Sequence, residues 1–129
     1  MALPIHAHRP FNWGVLIVGD STDLDLPSVG HDRTIGVGRR SIVIPVRHAQ
    51  DIPSTDDRPF AVSISCDWVE ARPSGPAFET VIDVRSGELL IGDADSSEKI
   101  RLERGSYRLF VVIHPDRHAE QVTVGIGNA

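Results

Sequence analysis

The sequence lacks most of the features that would assign a chemistry to it directly. Of its 129 residues only Cys66 is a cysteine, so no intrachain disulfide can form. Small secreted domains usually depend on such cross-links, and a reducing compartment is expected instead. Long apolar runs are missing too. Val15-Leu16-Ile17-Val18 is too short for the apolar part of a secretory signal or for a membrane span, so a cytoplasmic protein with no membrane partner is expected. Aromatic residues make up 5% of the chain, too few for a sugar-stacking surface. The basic excess of a general nucleic-acid binder is also absent. With a formal net charge of −5, the chain suits a basic protein partner better than DNA or RNA.

Helical periodicity is scarce, whereas period-two alternation recurs, and this sets the fold class. A content of 40% hydrophobic and 24% charged residues is that of a folded globular chain, and 129 residues suit a single domain over 1–129. Nine prolines and eleven glycines, without a period, punctuate the chain as turns between short strands do. Phe60, Val62, Ile64 and Cys66 alternate with Ala61, Ser63 and Ser65, which predicts a half-buried strand with the thiol facing inward. Tyr107, Leu109, Val111 and Ile113 alternate with Arg108, Phe110, Val112 and His114, and apolar residues on both sides predict a central strand.

Shorter strands are expected over 13–19, 34–37, 41–46, 78–84, 88–91, 99–103 and 121–126. Pro45 lacks an N–H to donate, so its strand is expected at an edge or to carry a bulge there. Arg85-Ser86-Gly87 between two β-branched runs predicts a hairpin turn, and Gln50 to Pro59 an exposed, mobile loop. The whole predicts an all-β chain, an antiparallel β-sandwich of about eight short strands.

Two segments carry a resemblance. Ser86-Gly87-Glu88-Leu89-Leu90-Ile91-Gly92, then Ile100 to Val112 with Gly105, Tyr107 and Arg108 in a G-x-Y-R strand, resemble small uncharacterised bacterial β-sandwich proteins. Arg40 to Val46, Trp68 and Phe78-Glu79 extend the likeness, so that it covers residues 40 to 112. More distantly the layout resembles the competence protein J family, β-sandwich inhibitors that pair with a nuclease. The resemblance implies a sandwich and an interaction role. Its motifs set turns and strands and bring no catalytic residues with them.

The six histidines raise the question of metal. His6 and His8, two apart, share one face of an extended segment, and His114, Asp116 and His118 form a second group that could complete a tetrahedral Zn²⁺ site if the two met. Arg9 and Arg117 would repel a cation, and the N-terminal segment reads as a loose end. Asp93-Ala94-Asp95-Ser96-Ser97-Glu98 opens like a calcium loop, but Glu98 and Arg104 stand where an EF-hand needs glycine and glutamate. Asp20, Asp23 and Asp25 meeting Asp93 and Asp95 would be another way to hold Ca²⁺. No metal ligand set and no cofactor are assigned.

Catalytic groupings are equally thin. Cys66, Ser63 and Ser65 are the nucleophile candidates, but no Gly-x-Ser-x-Gly elbow precedes a helix. Glu70 and Glu79 have no spacing that marks an acid–base pair, and Gly36-Val37-Gly38 and Gly125-Ile126-Gly127 lack the following helix of a phosphate loop. An enzyme is not expected.

Trp68, after Asp67 and before a proline-flanked loop, is either a lid on the core or an anchor for a partner. A non-enzymatic protein-interaction domain, such as an inhibitor or immunity protein of a toxin or nuclease, is the leading expectation. Its surface is expected to use Trp68 with the acidic residues Asp20, Asp23, Asp93 and Asp95. The alternatives are a metal- or small-ligand-binding sandwich and a structural component of an assembly. Thermal melts with and without reductant should superimpose, and a large loss of stability on reduction would contradict the compartment inferred from Cys66.

Overall fold

The computed structural model of the chain describes residues 3–29, 34–47, 61–75, 77–114 and 120–129. The loop from Gln50 to Pro59, Phe60, and Asp116, Arg117 and His118 lie outside them. Among the described residues there are ten strands: β1 (Ile5–Pro10), β2 (Val15–Asp20), β3 (Gly36–Val37), β4 (Ser41–Pro45), β5 (Ala61–Trp68), β6 (Phe78–Val84), β7 (Glu88–Gly92), β8 (Ser97–Arg101), β9 (Gly105–His114) and β10 (Gln121–Asn128). They form two five-stranded sheets, ordered β1-β5-β10-β9-β6 and β3-β4-β2-β7-β8. All pairings are antiparallel except β5 with β10, which is parallel.

Alternation places the core. Val62, Ile64 and Cys66 of β5, Leu109 and Val111 of β9, and Val122, Val124 and Ile126 of β10 turn inward from the first sheet. Leu16 and Val18 of β2, Ile42 and Ile44 of β4, and Leu89 and Ile91 of β7 meet them from the second, and all belong to one buried cluster. Two sheets whose apolar faces share one core make a β-sandwich. Strand β9, flanked by β10 and β6, is central, as its two apolar sides require. Pro45 closes β4 where β3, which reaches only Val43 and Ile42, no longer covers it. Among the described residues the strand is therefore an edge at the position that lacks a donor.

Three expectations are corrected. The segment Ile5–Pro10 is no loose end: β1 pairs with β5 from Ile5 opposite Cys66 to Pro10 opposite Ala61. The strand over 99–103 lies earlier, over Ser97–Arg101, and forms a hairpin with β7 through the turn at Asp93 to Ser96. Most consequentially, Arg85-Ser86-Gly87 is not a hairpin turn. β6 pairs with β9 in the first sheet, whereas β7 pairs with β2 and β8 in the second. The three residues carry the chain from one sheet to the other.

The cause is Asp20, whose side chain is fully buried at the end of β2. Its Oδ2 accepts the N–H groups of Arg85 (2.6 Å) and Ser86 (3.0 Å) and the Arg40 guanidinium (2.9 Å). Its Oδ1 accepts the N–H (2.9 Å) and hydroxyl (2.8 Å) of Thr22 and the Ser86 hydroxyl (2.7 Å). These donors hold the crossover against β2, and Gly87, at φ 76°, completes the turn in the left-handed region that glycine enters without strain. Alongside, the Asp83 N–H donates to the Arg39 carbonyl at 2.9 Å, tying β6 to the β3–β4 turn. The chain crosses back between β8 and β9, where the Tyr107 hydroxyl donates to the Glu103 carbonyl at 2.5 Å. Such a tyrosine-to-backbone bond is a familiar anchor at the corners of sandwiches.

Burial alone would raise the Asp20 pKa, but the Thr22, Ser86 and Arg40 donors outweigh it and hold the carboxyl well below the usual carboxylate range. A group whose folded pKa is depressed stabilises the fold above its unfolded pKa of about 3.9 and loses that contribution as pH falls below it. Stability should therefore drop on acidification below about pH 4, and more steeply in the parent than in Asp20→Asn. Asp20→Ala should cost about 3–5 kcal/mol by urea denaturation, because it strands buried donors and Arg40. A loss under about 1 kcal/mol would remove Asp20 from this role.

Candidate functional site

The five sequence-derived partner residues do not converge. β2 runs from Val15 to Asp20, with Asp20 opposite Leu89 and Ile17 opposite Gly92. The turn at Asp93 to Ser96 therefore lies at the opposite end of that sheet from Asp20 and Asp23, and no calcium site can join the two acidic groups. Asp20 is corrected from a partner-facing acid to the buried clasp described above. Asp93 is corrected likewise: its side chain is buried, and its Oδ1 accepts the N–H groups of Asp95 and Ser96 and the Arg9 guanidinium, each at 3.1 Å. Asp23 is half-buried, accepting the Ser41 hydroxyl at 2.7 Å and the Asp25 N–H at 3.1 Å. Asp95 is exposed and accepts from the Asn12 amide at 3.0 Å.

Trp68 is different. It continues the inward register of Val62, Ile64 and Cys66 but falls where the core ends, and it remains 48% exposed. Its ring lies against Tyr107, centroids 6.0 Å apart and planes tilted 50°, an arrangement aromatic pairs favour. The Asp67 carboxylate accepts the Trp68 N–H at 2.8 Å. Beyond it the chain folds over β10: the Val69 N–H donates to the Ile126 carbonyl at 2.9 Å. Val69 fits there because residue 125 is glycine; a Cβ at Gly125 would stand 2.9 Å from the Val69 side chain.

Trp68 is thus both lid and surface, with Tyr107 against its ring and the next residue, Val69, bonded to β10. Asp67 and Glu70 beside it in the chain, and Glu103 beneath Tyr107, are exposed, with Arg104 next to Glu103. These acids were not singled out as site residues from the sequence. Asp67-Trp68-Val69-Glu70 was their one local signal, and Glu103 joins them through Tyr107, which bonds its carbonyl locally and meets the Trp68 ring from a distant strand.

The nucleophile candidates have other roles. Cys66 is buried, and its thiol is pushed up to about 12, chiefly by desolvation with the charges of Asp67 and Glu98 adding to it, so it is not a thiolate at neutral pH. The Ser63 hydroxyl meets His8 Nδ1 at 2.6 Å, but in mid-strand, and its own N–H is spent on the Glu120 carbonyl at 2.9 Å. No oxyanion hole forms there. Glu79 is bound by Arg108 at 2.8 Å and Arg72 at 3.6 Å, which ties it into ion pairs and away from Glu70.

His6, His8 and His114 fall on the outer face of the first sheet. His8 stands opposite Ser63, Ser63 beside Gln121, and Gln121 opposite His114, so His8 and His114 share one row but are separated by β5 and β10. They do not meet, and among the described residues no three His, Cys, Asp or Glu side chains gather as metal ligands. His6, His8, Ser63, Ser65, Gln121 and Thr123 instead line a shallow concavity of about 430 Å³. Among the described residues no helix is long and apolar enough to cross a membrane.

No protein-family model and no curated protein matches the sequence. The fold, however, is shared with solved structures. ComJ from Bacillus subtilis, an inhibitor of the DNA-degrading activity of NucA, superposes with a TM-score of 0.66 over 100% of this chain and 99% of its own, at 10% identity. The product of crocagin biosynthetic gene J superposes with a TM-score of 0.57 over 97% of this chain and 95% of its own, also at 10% identity. The likeness to ComJ agrees with the distant resemblance read from residues 40 to 112.

A thiol reagent should label Cys66 slowly in native protein and rapidly in denaturant. Native labelling as fast as that of a free thiol would contradict the inward register of β5.

Proposed function

We propose that this chain is a cytoplasmic, non-enzymatic protein-interaction domain that inhibits or neutralises a basic protein partner, as an immunity protein does for a toxin or nuclease. The observation that carries this reading is Trp68: a half-exposed indole held rigid on Tyr107, with Asp67, Glu70 and Glu103 at the same end of the sandwich. A pre-fixed aromatic loses little conformational freedom on binding, which is why tryptophan is enriched among interface residues whose loss is most costly. Carboxylates around it attract a basic surface over long range. The fold shared with ComJ supports an inhibitor role.

In this reading Trp68 is the anchor, Asp67, Glu70 and Glu103 complete the acidic surround, and Asp23 lies at the same end. Asp20 and Asp93 hold the scaffold, and Asp95, at the opposite end, takes no part.

The test is capture of the partner from the native host, followed by association and dissociation kinetics. Trp68→Ala should weaken binding by about 2 kcal/mol or more, roughly 30-fold, mainly through a faster off-rate. Charge-neutral Asp67→Asn and Glu70→Gln should slow association at low salt, and raising salt should slow the parent in the same way. Unchanged kinetics in Trp68→Ala would place the partner surface elsewhere.

A further inference from the structure

We propose that His6 and His8 form an open two-imidazole site for a nitrogen-preferring divalent ion of the Zn²⁺, Ni²⁺ or Cu²⁺ class on the outer face of the first sheet. Both side chains lie in β1, two residues apart, on the face opposite that of buried Ile5, and both line the concavity of about 430 Å³. Two strand residues on one face stand roughly 7 Å apart along the chain, a span across which two imidazoles can each reach one ion at about 2.0–2.1 Å.

The pairing of β1 with β5 holds the strand in place. His8 is oriented further. Its Nδ1 is engaged by the Ser63 hydroxyl at 2.6 Å, which leaves Nε2 to face the concavity. Engagement of one ring nitrogen is how ligating histidines are usually aimed. Opposite the pair, Ser65 and Thr123 add hydroxyls, and Gln121 an amide, to the same concavity.

Of the two charges that argue against a cation in the sequence, Arg117 lies outside the described residues and Arg9 is directed away. It lies on the inward-facing register of β1, stacks over the Phe11 ring at 4.0 Å, and donates to Asp93 at 3.1 Å and to the Ser96 carbonyl at 2.6 Å across the edge of the sandwich. Among the described residues no lysine or arginine lines the concavity. Two protein nitrogens leave coordination positions to water or to an incoming ligand, so the site is of the open kind. It is separate from the Trp68 surface and does not depend on the function proposed for it.

The test is titration of the full chain with Ni²⁺ and Zn²⁺ by calorimetry, with the histidine imidazole signals followed by NMR. One equivalent should bind, shifting the His6 and His8 signals and leaving His114, two strands beyond Ser63 in the same row, unmoved. His6→Ala and His8→Ala should each weaken binding at least about tenfold. Ser63→Ala should weaken it by roughly tenfold at unchanged stoichiometry, the usual scale for losing the group that orients a ligating histidine. Absence of a one-equivalent site, or its survival in the His6→Ala/His8→Ala double variant, would overturn the assignment.

Discussion

A single buried carboxylate governs how this sandwich is joined. Asp20 collects six donors from three separate parts of the chain, two of them backbone N–H groups at the point where the polypeptide leaves one sheet for the other. Taking a charge out of water is costly, and a fully satisfied network in a low-dielectric setting is what makes it tolerable. Once formed, the network fixes the direction of β6 relative to β2 and delivers β7 to its place between β2 and β8. The same clasp brings Arg40 and the β3–β4 turn to that corner, next to the bond between Asp83 and Arg39.

What the sequence disclosed and what it withheld separate along physical lines. Alternation within a strand is local, so β5 and β9, and the inward position of Cys66, could be read directly. The choice of partner strand is not local. Ser86-Gly87 has the chemistry of a tight turn, and it does make one, but the N–H groups that a hairpin would leave to its own strands are taken by Asp20, more than sixty residues earlier in the chain. β1 was missed for a related reason. Two histidines, an arginine and two prolines look like a solvated end, yet Leu3, Ile5 and Ala7 meet the core, and Arg9 finds a buried aspartate at the neighbouring edge.

The candidate surface shows why net charge is a weak guide to recognition. Asp20 and Asp93 are buried, while Glu79 and Glu120 are paired with arginines, so these carboxylates add little to an outward field. The acids assigned to a partner in the proposed function are those left exposed beside the Trp68 ring, and the sequence marked the ring more clearly than the acids. Trp68 did not have to be either a lid or an anchor, because its strand runs out at the boundary between the two.

The position of β10 bears on how the molecule is made. This strand follows every other described strand along the chain, yet it lies in the middle of its sheet, parallel to β5 and antiparallel to β9. During synthesis β1 with β5 and β6 with β9 can form two separate ribbons, each with a bare inner edge, and neither ribbon can join the other until β10 arrives. Such edges are templates for pairing between chains, and contacts so distant along the chain form slowly. Until β10 slots between the two halves, the inner edges of β5 and β9 stay open to pairing with another chain.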